Sequence, residues 1–588
     1  MTEKVGKRKP FRLMLKCISY MPGLYTWDTV AWTLIHTSPL IPGLLAKKFF
    51  DILTAGSNAN SELWSLLILV GVTALARAGL IYVGASVDIL FRFKVSALIR
   101  RNLLENLMKK PGALPRKAAT GEILNSFRDD AKQIEDAVDW TIDIIGTLVF
   151  AAAAVVILLS IDAKVTLFVF TPLVAVIVLA NSASSRIEEN RRKSRKASAA
   201  VNGIIGEMFN SVQAVKVAGA EEHILKHFHH LNGKRHKLML RDTLFTQFLE
   251  SIYQNTVSLG TGLILLLVSQ SMRAGSFSVG DFAVFVYYLA FVTDFTQFYG
   301  RYIANYQQTC VSFQRIADLM EETRVEELVA HQPLYLKGEL PELSVPVKTE
   351  EDMLQYLEIQ GLTYEYSSSG GGISDVSFGL KRNSFTVICG KIGSGKTTLL
   401  RALLGLLPAQ SGKIIWNGRE VREPAEFFVT PRAAYTAQVP RLLSDTVKEN
   451  IALGIPSEET VIQKAIYSAV LEKDIDSFEK GLETVVGPRG VKLSGGQVQR
   501  VAAARMFARE AELLVFDDIS SALDVDTENK LWSRIFKEKN KTCLVVSNRR
   551  TALQHADHII VLNNGRIEAE GKLEELLQSS ESVQQIWG

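Results

Sequence analysis

An acidic pair at the end of an apolar run is the first place in this sequence where chemistry can be located. Residues 513–524 read LLVFDDISSALD, so that Asp517 and Asp518 directly follow four apolar residues. A buried strand that ends in a carboxylate is typical of a site that orients Mg²⁺ on a nucleotide. We expect Asp517 to hold the metal, whereas Asp518 stands where such a site needs a general base.

A glycine-rich loop supplies the phosphate cradle that this metal would serve. The apolar run FTVIC is followed by GKIGSGKT, from Gly390 to Thr397, and then by a leucine-rich helical segment. This is the Walker A pattern, in which backbone N–H groups and a helix N-terminus surround phosphate. Lys396 is expected to reach the β- and γ-phosphates of ATP, and Thr397 to ligate Mg²⁺. The predicted cradle comprises Gly390, Gly393, Ser394, Gly395, Lys396, Thr397 and Thr398.

These residues need a rigid domain to position them, and the second half of the chain predicts one. Short β-branched runs alternate there with helical patterns, as in an α/β domain, which we place at residues 357–588. Before it, over residues 321–356, the apolar periodicity stops. Pro333, Pro341 and Pro346 stand there among acidic residues, which indicates a linker.

The first half of the chain has the character of a membrane domain, which we place at residues 1–320. Hydrophobic residues make up 47% of the chain and its mean hydropathy is +0.13, yet 22% of its residues are charged. A membrane half joined to a soluble half reconciles these values. About six apolar stretches are long enough to cross a bilayer, which takes roughly 20 residues each. They are Thr29–Phe50, Leu63–Phe91, Val138–Ile161, Val165–Ser182, Leu244–Met272 and Asp281–Tyr306.

Charge placement predicts the orientation of these spans. Long polar stretches between spans two and three, and between four and five, carry clusters of Lys and Arg, and the positive-inside rule makes both cytosolic. The N-terminus and the α/β domain are then cytosolic as well. With no signal peptide or organelle address evident, we expect a multi-pass protein of a prokaryotic plasma membrane. The net charge of only +4 gives no reason to expect a nucleic-acid partner.

Further motifs resemble those of ATP-binding cassette (ABC) transporters. LSGGQ stands at Leu493–Gln497, and the order LTYEY, Walker A, YTAQ, LSGGQ, Walker B, SALD and LVVSNRRTAL is that of the family. The resemblance implies that Tyr366 stacks on adenine and that Gln438 links the γ-phosphate and Mg²⁺ to the membrane domain. In the family two cassettes sandwich two ATP molecules, each bound by one chain's Walker A and the other's LSGGQ. The trans contacts would come from Ser494, Gly495, Gly496 and Gln497.

The resemblance covers essentially the whole chain and is to the exporter type. TGEILNSFRDD, from Thr120, and GEMFNSVQAVKVAGAEE, from Gly206, are similar to the family's cytosolic loops. The implied fold is an all-α membrane domain of six transmembrane helices followed by an α/β P-loop nucleotide-binding domain. The implied assembly is a pair of such chains, in contact with membrane lipids, that moves a small-molecule, lipid or peptide substrate.

Three residues depart from the family pattern. Asp518 replaces the usual glutamate base, which withdraws the carboxylate by one carbon–carbon bond. Asn548 falls where a histidine normally contacts the γ-phosphate and the attacking water, and an amide can neither carry charge nor shuttle a proton as His can. Pro488 stands where an acidic residue is usual. Because LSGGQ is intact, the sequence favours a heterodimeric half-transporter whose own site is degenerate and whose LSGGQ completes the partner's site.

Two alternatives stay open at this point. One is a homodimeric exporter with a slow aspartate base, and the other is an ATP-gated regulator or channel that binds ATP without pumping. In either case the candidate catalytic residues are Asp518, Asn548 and Gln438, the metal ligands are Thr397, Gln438 and Asp517, and the expected cofactors are ATP and Mg²⁺.

The cargo path is indicated only weakly. Span six carries many aromatic residues at helical spacing, which could line a cavity for an amphipathic substrate or could simply pack against other helices. Ionisable residues within spans are more often functional, and acidic ones such as Asp139 and Asp143 outnumber basic ones, which is a faint indication of cationic cargo. His223, His227 and His230 share a helical face, but a solvated helix is the simpler interpretation than a metal site.

Overall fold

The division between the two halves of the chain falls inside the predicted linker. In the computed structural model, one unit is formed by the described parts of Met1–Leu107 and Lys117–Leu336, and the other by those of Met108–Arg116 and Lys337–Gly588. The described part of the short segment, Met108–Leu114, therefore belongs to the second unit, although the sequence predicts a membrane domain over residues 1–320. The structure describes the chain except for residues 1–8, 55–59, 115–119, 274–275, 321–324, 342–346, 367–369, 455–457, 488–489, 491, 520–522, 538–540 and 588.

The first unit is built from helices, as its apolar periodicity predicts. A π-helical turn at Ser126–Asp130 joins two of them, and a 3₁₀ turn at Val325–Val329 follows the last. The α-helices are α1 (Lys9–Tyr20), α2 (Pro22–Thr37), α3 (Leu40–Thr54), α4 (Asn60–Met108), α5 (Thr120–Asn125), α6 (Ala131–Ile161), α7 (Ala163–Asn210), α8 (Val212–Ala218), α9 (Glu221–Arg273) and α10 (Val279–Met320).

Local sequence explains where these helices break. Pro39 lacks the N–H that a continuous helix would need, so the predicted first span is divided between α2 and α3. Asp162 ends α6 and caps α7, because its Oδ1 accepts hydrogen bonds from the N–H groups of Lys164 and Val165 at 2.9 and 3.0 Å. Helices α7 and α9 contain 48 and 53 residues, far more than a bilayer needs, so both continue beyond the predicted spans.

Three helical segments of the described residues are long and apolar enough to cross a membrane. They are Ser61–Met108, Thr120–Ile161 and Val279–Met320. Predicted spans four and five lie on α7 and α9, where many side chains fall outside the description. The number of six spans therefore stays a prediction.

Helix packing explains two of the aromatic residues of span six. Helix α10 packs against α3 and α6, and α2 also packs against α6. Phe285 and Tyr288 are almost fully buried, and the Tyr288 hydroxyl donates to the Leu40 carbonyl at 2.6 Å. Tyr299 is 47% exposed. The two buried rings hold helices together, so they do not line an open cavity.

The second unit is the predicted α/β domain. Its strands are β1 (Tyr356–Glu365), β2 (Gly372–Lys381), β3 (Phe385–Cys389), β4 (Ser411–Trp416), β5 (Arg419–Glu420), β6 (Ala433–Thr436), β7 (Leu513–Asp517), β8 (Thr542–Val546), β9 (His558–Asn563) and β10 (Arg566–Gly571). Its α-helices are α11 (Lys396–Leu403), α12 (Pro424–Phe427), α13 (Val447–Ala452), α14 (Glu459–Ser468), α15 (Glu472–Ser477), α16 (Gly495–Phe507), α17 (Val525–Lys537), α18 (Arg550–Gln554), α19 (Leu573–Ser579) and α20 (Glu581–Trp587). Short 3₁₀ turns lie at Glu350–Asp352 and Gly481–Glu483.

The strands form two sheets. An antiparallel sheet has the order β2-β1-β4-β5, and a larger one has the order β10-β9-β3-β8-β7-β6. Within the larger sheet, β9, β3, β8, β7 and β6 are parallel, and β10 pairs antiparallel at the edge. Strands β3, β7 and β8 are buried at every residue, which explains why they read as unbroken apolar runs. This sheet positions the candidate site.

Candidate functional site

The parallel sheet brings four separate motifs to one edge. The Walker A loop follows β3, Asn548 follows β8, Asp517 ends β7, and Gln438 follows β6. These strands are neighbours in the order β3-β8-β7-β6, so their carboxyl ends lie side by side. Ligands of open parallel sheets bind at this edge. The convergence of motifs up to 158 positions apart in sequence is thus a direct result of the strand order.

The Walker A loop has the backbone that its glycines require. Gly390, Gly393 and Gly395 have φ angles of +145°, +84° and +100°, in the region that disfavours any side chain. A Cβ at Gly390 would also lie 2.1 Å from the Leu562 carbonyl oxygen. Ser394 is buried, and its carbonyl accepts from the Gly565 N–H at 3.0 Å. The loop therefore has a backbone that only glycine adopts readily at three of its positions.

Lys396 begins α11 and lies against the loop that it would serve. Its Nζ donates to the carbonyls of Gly390 and Lys391, each at 2.8 Å. Burial lowers the pKa of this ammonium, while the neighbouring carboxylates Asp517 and Asp518 oppose the shift. Its Nζ also lies 3.4 Å from the Ser394 hydroxyl. An ammonium held by uncharged oxygens can exchange them for phosphate oxygens, which carry full charge.

Two hydroxyl groups hold the carboxylate of Asp517 in place. It is fully buried; the Thr397 hydroxyl donates to its Oδ1 at 3.0 Å and the Tyr435 hydroxyl to its Oδ2 at 3.2 Å. Burial raises the pKa of this carboxyl, and the two hydroxyl hydrogen bonds oppose that shift. The predicted metal ligands Thr397 and Asp517 are thus in contact. A hydroxyl and a carboxylate oxygen side by side are hard ligands of the kind Mg²⁺ prefers, so this pair fits the metal.

Asp518 occupies a constrained backbone position next to Asp517. Its φ is +53°, which aspartate tolerates better than most residues, and its N–H donates to the Val546 carbonyl at 3.1 Å. The Gln438 amide Nε2 lies 3.4 Å from its Oδ2. Burial raises the pKa of the Asp518 carboxyl, the Gln438 amide opposes that shift, and the charge of Asp517 adds to it. Two predicted catalytic residues are therefore in contact.

Asn548 makes a contact that its alignment with a catalytic histidine does not predict. Its Oδ1 accepts from the Gly390 N–H at 3.1 Å, and its Nδ2 donates to the Gly390 carbonyl at 3.0 Å. The side-chain amide thus pairs with both backbone groups of the first Walker A residue, as a neighbouring strand would. Since both functional ends of Asn548 are engaged, its side chain braces the loop.

The adenine side of the predicted site is also assembled. The Tyr366 hydroxyl lies 3.5 Å from the Thr398 Oγ1, so the aromatic residue stands beside the first turn of α11. The Tyr364 ring meets it edge-on, with ring centroids 5.0 Å apart. The Tyr366 ring is partly exposed, as a stacking surface needs to be.

LSGGQ forms the N-terminus of α16. The Ser494 Oγ accepts from the Gln497 N–H at 3.3 Å, and the Ser494 N–H donates to Gln497 Oε1 at 2.9 Å, which makes a capping box. Gly495 and Gly496 form the first turn of this helix of 13 residues. Free N–H groups at a helix start suit a phosphate.

Two supporting residues were missed by the sequence analysis. Tyr435 holds Asp517, and only the pairing of β6 with β7 reveals their proximity. Asp474 binds Arg500 through two hydrogen bonds of 2.8 and 2.9 Å and accepts from Gln497 at 3.2 Å, which ties the start of α16 to α15. A lone aspartate on a short helix carries no signal for this role.

Several predicted features cannot be placed. Pro488 and the Ser521–Ala522 part of SALD lie outside the described residues. Asp524, the last residue of SALD, accepts from the Thr527 N–H at 2.9 Å at the start of α17. Among the residues that the structure describes, no group of three His, Cys, Asp or Glu side chains is arranged to hold a metal ion, and this includes the histidines of α9.

Comparisons with known proteins agree with this arrangement. Residues 34–294 match the family model of the ABC transporter transmembrane region, and residues 373–521 match that of the ABC transporter. The chain is 26% identical over 553 residues to an ATP-dependent lipid A-core flippase of Albidiferax ferrireducens, which covers 92% of this chain and 91% of that protein. It is also 26% identical over 551 residues to YgaD of Bacillus subtilis, named as a multidrug export ATP-binding/permease protein, with 91% of each covered.

A solved structure shares the fold. A bacterial Atm1-family ABC exporter with ATP bound superposes with a TM-score of 0.80 at 19% identity, over 96% of this chain and 98% of that one. The family matches cover both units of the chain in the order that exporters use. They identify this protein as an ABC exporter, a multi-pass membrane protein that carries a helical transmembrane domain and an ATPase domain on one polypeptide.

Proposed function

We propose that this chain is the degenerate-site half of a heterodimeric ABC exporter. Its own Walker residues bind ATP with Mg²⁺ and hydrolyse it slowly or not at all. Its LSGGQ completes a competent site on a partner chain that carries glutamate and histidine. The observation that supports this most is the pair of hydrogen bonds, 3.1 and 3.0 Å, by which Asn548 is tied to the Gly390 backbone.

The chain carries every residue that binding of ATP and Mg²⁺ at its own site requires. Thr397 and Asp517 would hold Mg²⁺ from one side, and Gln438 would complete the protein ligands. Lys396 would leave the carbonyls of Gly390 and Lys391 for the β- and γ-phosphates. When bound, the metal ion would neutralise phosphate charge. Tyr366 would then stack on the base.

Hydrolysis at the same site lacks two of its usual groups. A general base must lie within about 2.6–3.2 Å of the attacking water, and such a base is typically worth 10²–10⁴-fold in rate. Asp518 is one carbon–carbon bond, about 1.5 Å, shorter than glutamate. Asn548 cannot take up a proton and is already hydrogen-bonded at both ends. Both deficits affect the same water, so they compound.

The partner's site receives an intact contribution. The capping box at Ser494 and the anchoring of Gln497 and Arg500 on Asp474 hold the start of α16 rigid. A preformed helix N-terminus can meet a γ-phosphate without further ordering. The heterodimer therefore hydrolyses ATP mainly at the site built from the partner's Walker residues.

The cellular setting follows from the same account. The chain would lie in the plasma membrane with its nucleotide-binding domain in the cytoplasm, and would export an amphipathic or hydrophobic small molecule, lipid or peptide. The relatives named above are a lipid A-core flippase and a multidrug exporter, which support a cargo that partitions into lipid.

The test compares the purified chain with its native complex. The tagged chain is purified alone and, separately, co-purified from its native membrane with whatever subunit accompanies it. We expect ATPase turnover of the chain alone to lie about 10²-fold or more below that of the complex. The variant Asp518→Asn removes the candidate general base. Asp526→Asn, at an exposed carboxylate on α17, is its matched control.

Two results would overturn the proposal. Brisk turnover by the chain alone that Asp518→Asn abolishes and Asp526→Asn leaves intact would show a homodimeric exporter with an aspartate base. Absence of uphill cargo accumulation in vesicles that contain the ATP-hydrolysing complex would show a regulator or channel instead of a pump.

A further inference from the structure

Three helices of the first unit bring an unusual density of carboxylates together. Asp28 lies on α2, Asp88 on α4, and four more on α6. Spacings of about four residues place side chains on one helix face, and Asp88 with Arg92, and Glu135, Asp139 and Asp143, follow that spacing. The acidic cluster consists of Asp28, Asp88, Glu135, Asp136, Asp139 and Asp143.

Close helix packing brings these faces into contact. At Gly146 of α6 a Cβ would lie 2.6 Å from the His36 Cδ2, and at Gly84 of α4 it would lie 2.9 Å from the Ile35 Cδ1. Glycine at these two positions therefore lets α2 approach both α6 and α4. The His36 Nε2 then reaches the Asp143 Oδ1 at 3.0 Å.

Positive charge in the cluster falls short of the negative charge. Arg92 is the shared partner: its guanidinium nitrogens lie 2.7 Å from Asp136, 3.4 Å from Glu135, 3.5 Å from Asp139 and 3.8 Å from Asp88. His36 adds at most one more positive charge, and only when it is protonated. Six carboxyl groups thus face two basic groups. One guanidinium has five N–H donors in a fixed plane and cannot satisfy all six carboxyl groups.

The shortage of positive charge is greatest at Asp28. Its side chain is 0% exposed, and among the described residues neither carboxylate oxygen has a hydrogen-bond partner of normal geometry. The indole N–H of Trp32, one turn along α2, interacts with the Asp28 carboxyl but makes no hydrogen bond of normal geometry to it. The charge of Asp28 interacts with Asp139, Asp143 and Arg92, so it faces the cluster. A buried carboxylate costs several kcal/mol or more unless it takes up a proton or meets a cation, so this position suits a cationic group.

We propose that the acidic cluster binds the ammonium or other organic cationic group of the exported cargo. This inference rests on the proposed function, since it names the cargo class of that exporter. An organic cation is favoured over a metal ion, because no group of three carboxylates or histidines among the described residues is arranged around one point. A compact ammonium with three N–H donors could satisfy Asp28 and Asp139 together.

The exposed fractions of the carboxylates indicate the side from which a ligand would enter the cluster. The side chains of Asp136 and Asp143 are 31% and 27% exposed, that of Asp139 is 20% exposed, and Asp28 is fully buried. The cluster is thus open at α6 and closed at α2. A cationic group would enter past α6 and finish beside Asp28, while the apolar body of the cargo stays outside the cluster.

The test measures cargo-analogue binding to the full-length chain in lipid nanodiscs, without nucleotide. Three fluorescent probes share one apolar body and carry a primary amine, a neutral hydroxyl or a sulfonate. The variants are Asp28→Asn, Asp139→Asn and the conservative Asp28→Glu. Glu62→Gln, at an exposed acid near the start of the same α4 helix that carries Asp88, is the matched control. Retained binding of the hydroxyl probe verifies that the first unit of each variant is folded.

The expected result is selective for charge. The wild-type chain and Glu62→Gln bind the amine probe more tightly than the hydroxyl or sulfonate probe. Asp28→Asn and Asp139→Asn weaken amine binding about tenfold or more, since a charge-assisted hydrogen bond is lost, and leave the hydroxyl probe unchanged. Asp28→Glu retains most of the amine affinity.

The contrary results are equally specific. Equal amine affinity of Asp28→Asn, Asp139→Asn and the wild type overturns the inference and means that the cluster only holds protons. Equal weakening of all three probes also overturns it, because it indicates a change of shape. Probe binding needs no hydrolysis, so failure of the ATPase comparison described above leaves this result independent, and failure here leaves the proposed division of the ATP sites intact.

Discussion

Replacing Asn548 with alanine tests the brace on the Walker A loop. The change removes both hydrogen bonds to Gly390, but the two backbone groups are affected differently. The Gly390 carbonyl keeps the Lys396 ammonium at 2.8 Å, whereas the buried Gly390 N–H loses its acceptor, Asn548 Oδ1 at 3.1 Å. Leaving one buried donor unsatisfied costs about 1–3 kcal/mol.

Hydrogen exchange at the Gly390 amide measures this loss of free energy directly. If the loop opens locally for exchange, a loss of about 1–3 kcal/mol accelerates exchange about 5- to 150-fold. The assay is exchange mass spectrometry of the full-length chain, with resolution at the peptide that contains Gly390. Asn563→Ala is the matched control, because that amide makes one exposed hydrogen bond, to Glu568 at 2.9 Å. Unchanged Gly390 exchange in Asn548→Ala would refute the brace.

Three further predictions concern the supports of the two ATP half-sites. Thr397→Ala should weaken ATP affinity about tenfold in Mg²⁺ and much less in EDTA, as calorimetry would show, and equal loss in both would exclude a metal-ligand role. Tyr435→Phe should lower stability by about 0.5–1.5 kcal/mol through the lost bond to Asp517, measured as a fall in unfolding temperature, and an unchanged temperature would contradict it. Asp474→Asn should lower the ATPase of the native complex through the loosened Arg500 and leave ATP binding by the chain alone intact; loss of both would place Asp474 elsewhere in the mechanism.

The motifs were predictable because their positions depend on strand order. Asp517 and Asp518 stand at the carboxyl end of an apolar run, and the resemblance to ABC transporters added Gln438; parallel strands then place these residues at one edge. The partners of these side chains were not predictable. Tyr435 meets Asp517 only through the register of β6 on β7, which no local pattern encodes.

The role of Asn548 shows a similar limit. Alignment with a histidine predicts what the residue lacks, but its two hydrogen bonds to Gly390 depend on the close approach of two loops. In the first unit, Asp139 and Asp143 were singled out by sequence as ionisable residues in a span, whereas Asp28 was not. Its burial results from the packing of α2 against α6, which periodicity alone does not fix.

The central claim is that this chain's LSGGQ matters more to ATP hydrolysis than its own acidic pair. The most direct measurement is the ATPase turnover of the co-purified native complex with either Ser494→Arg or Asp518→Asn in this chain. A bulky cation at Ser494 removes the helix cap of α16, which under the proposed function would contact the partner's nucleotide. We expect Ser494→Arg to lower turnover at least about tenfold more than Asp518→Asn does. An equal or greater loss with Asp518→Asn would contradict the division of labour.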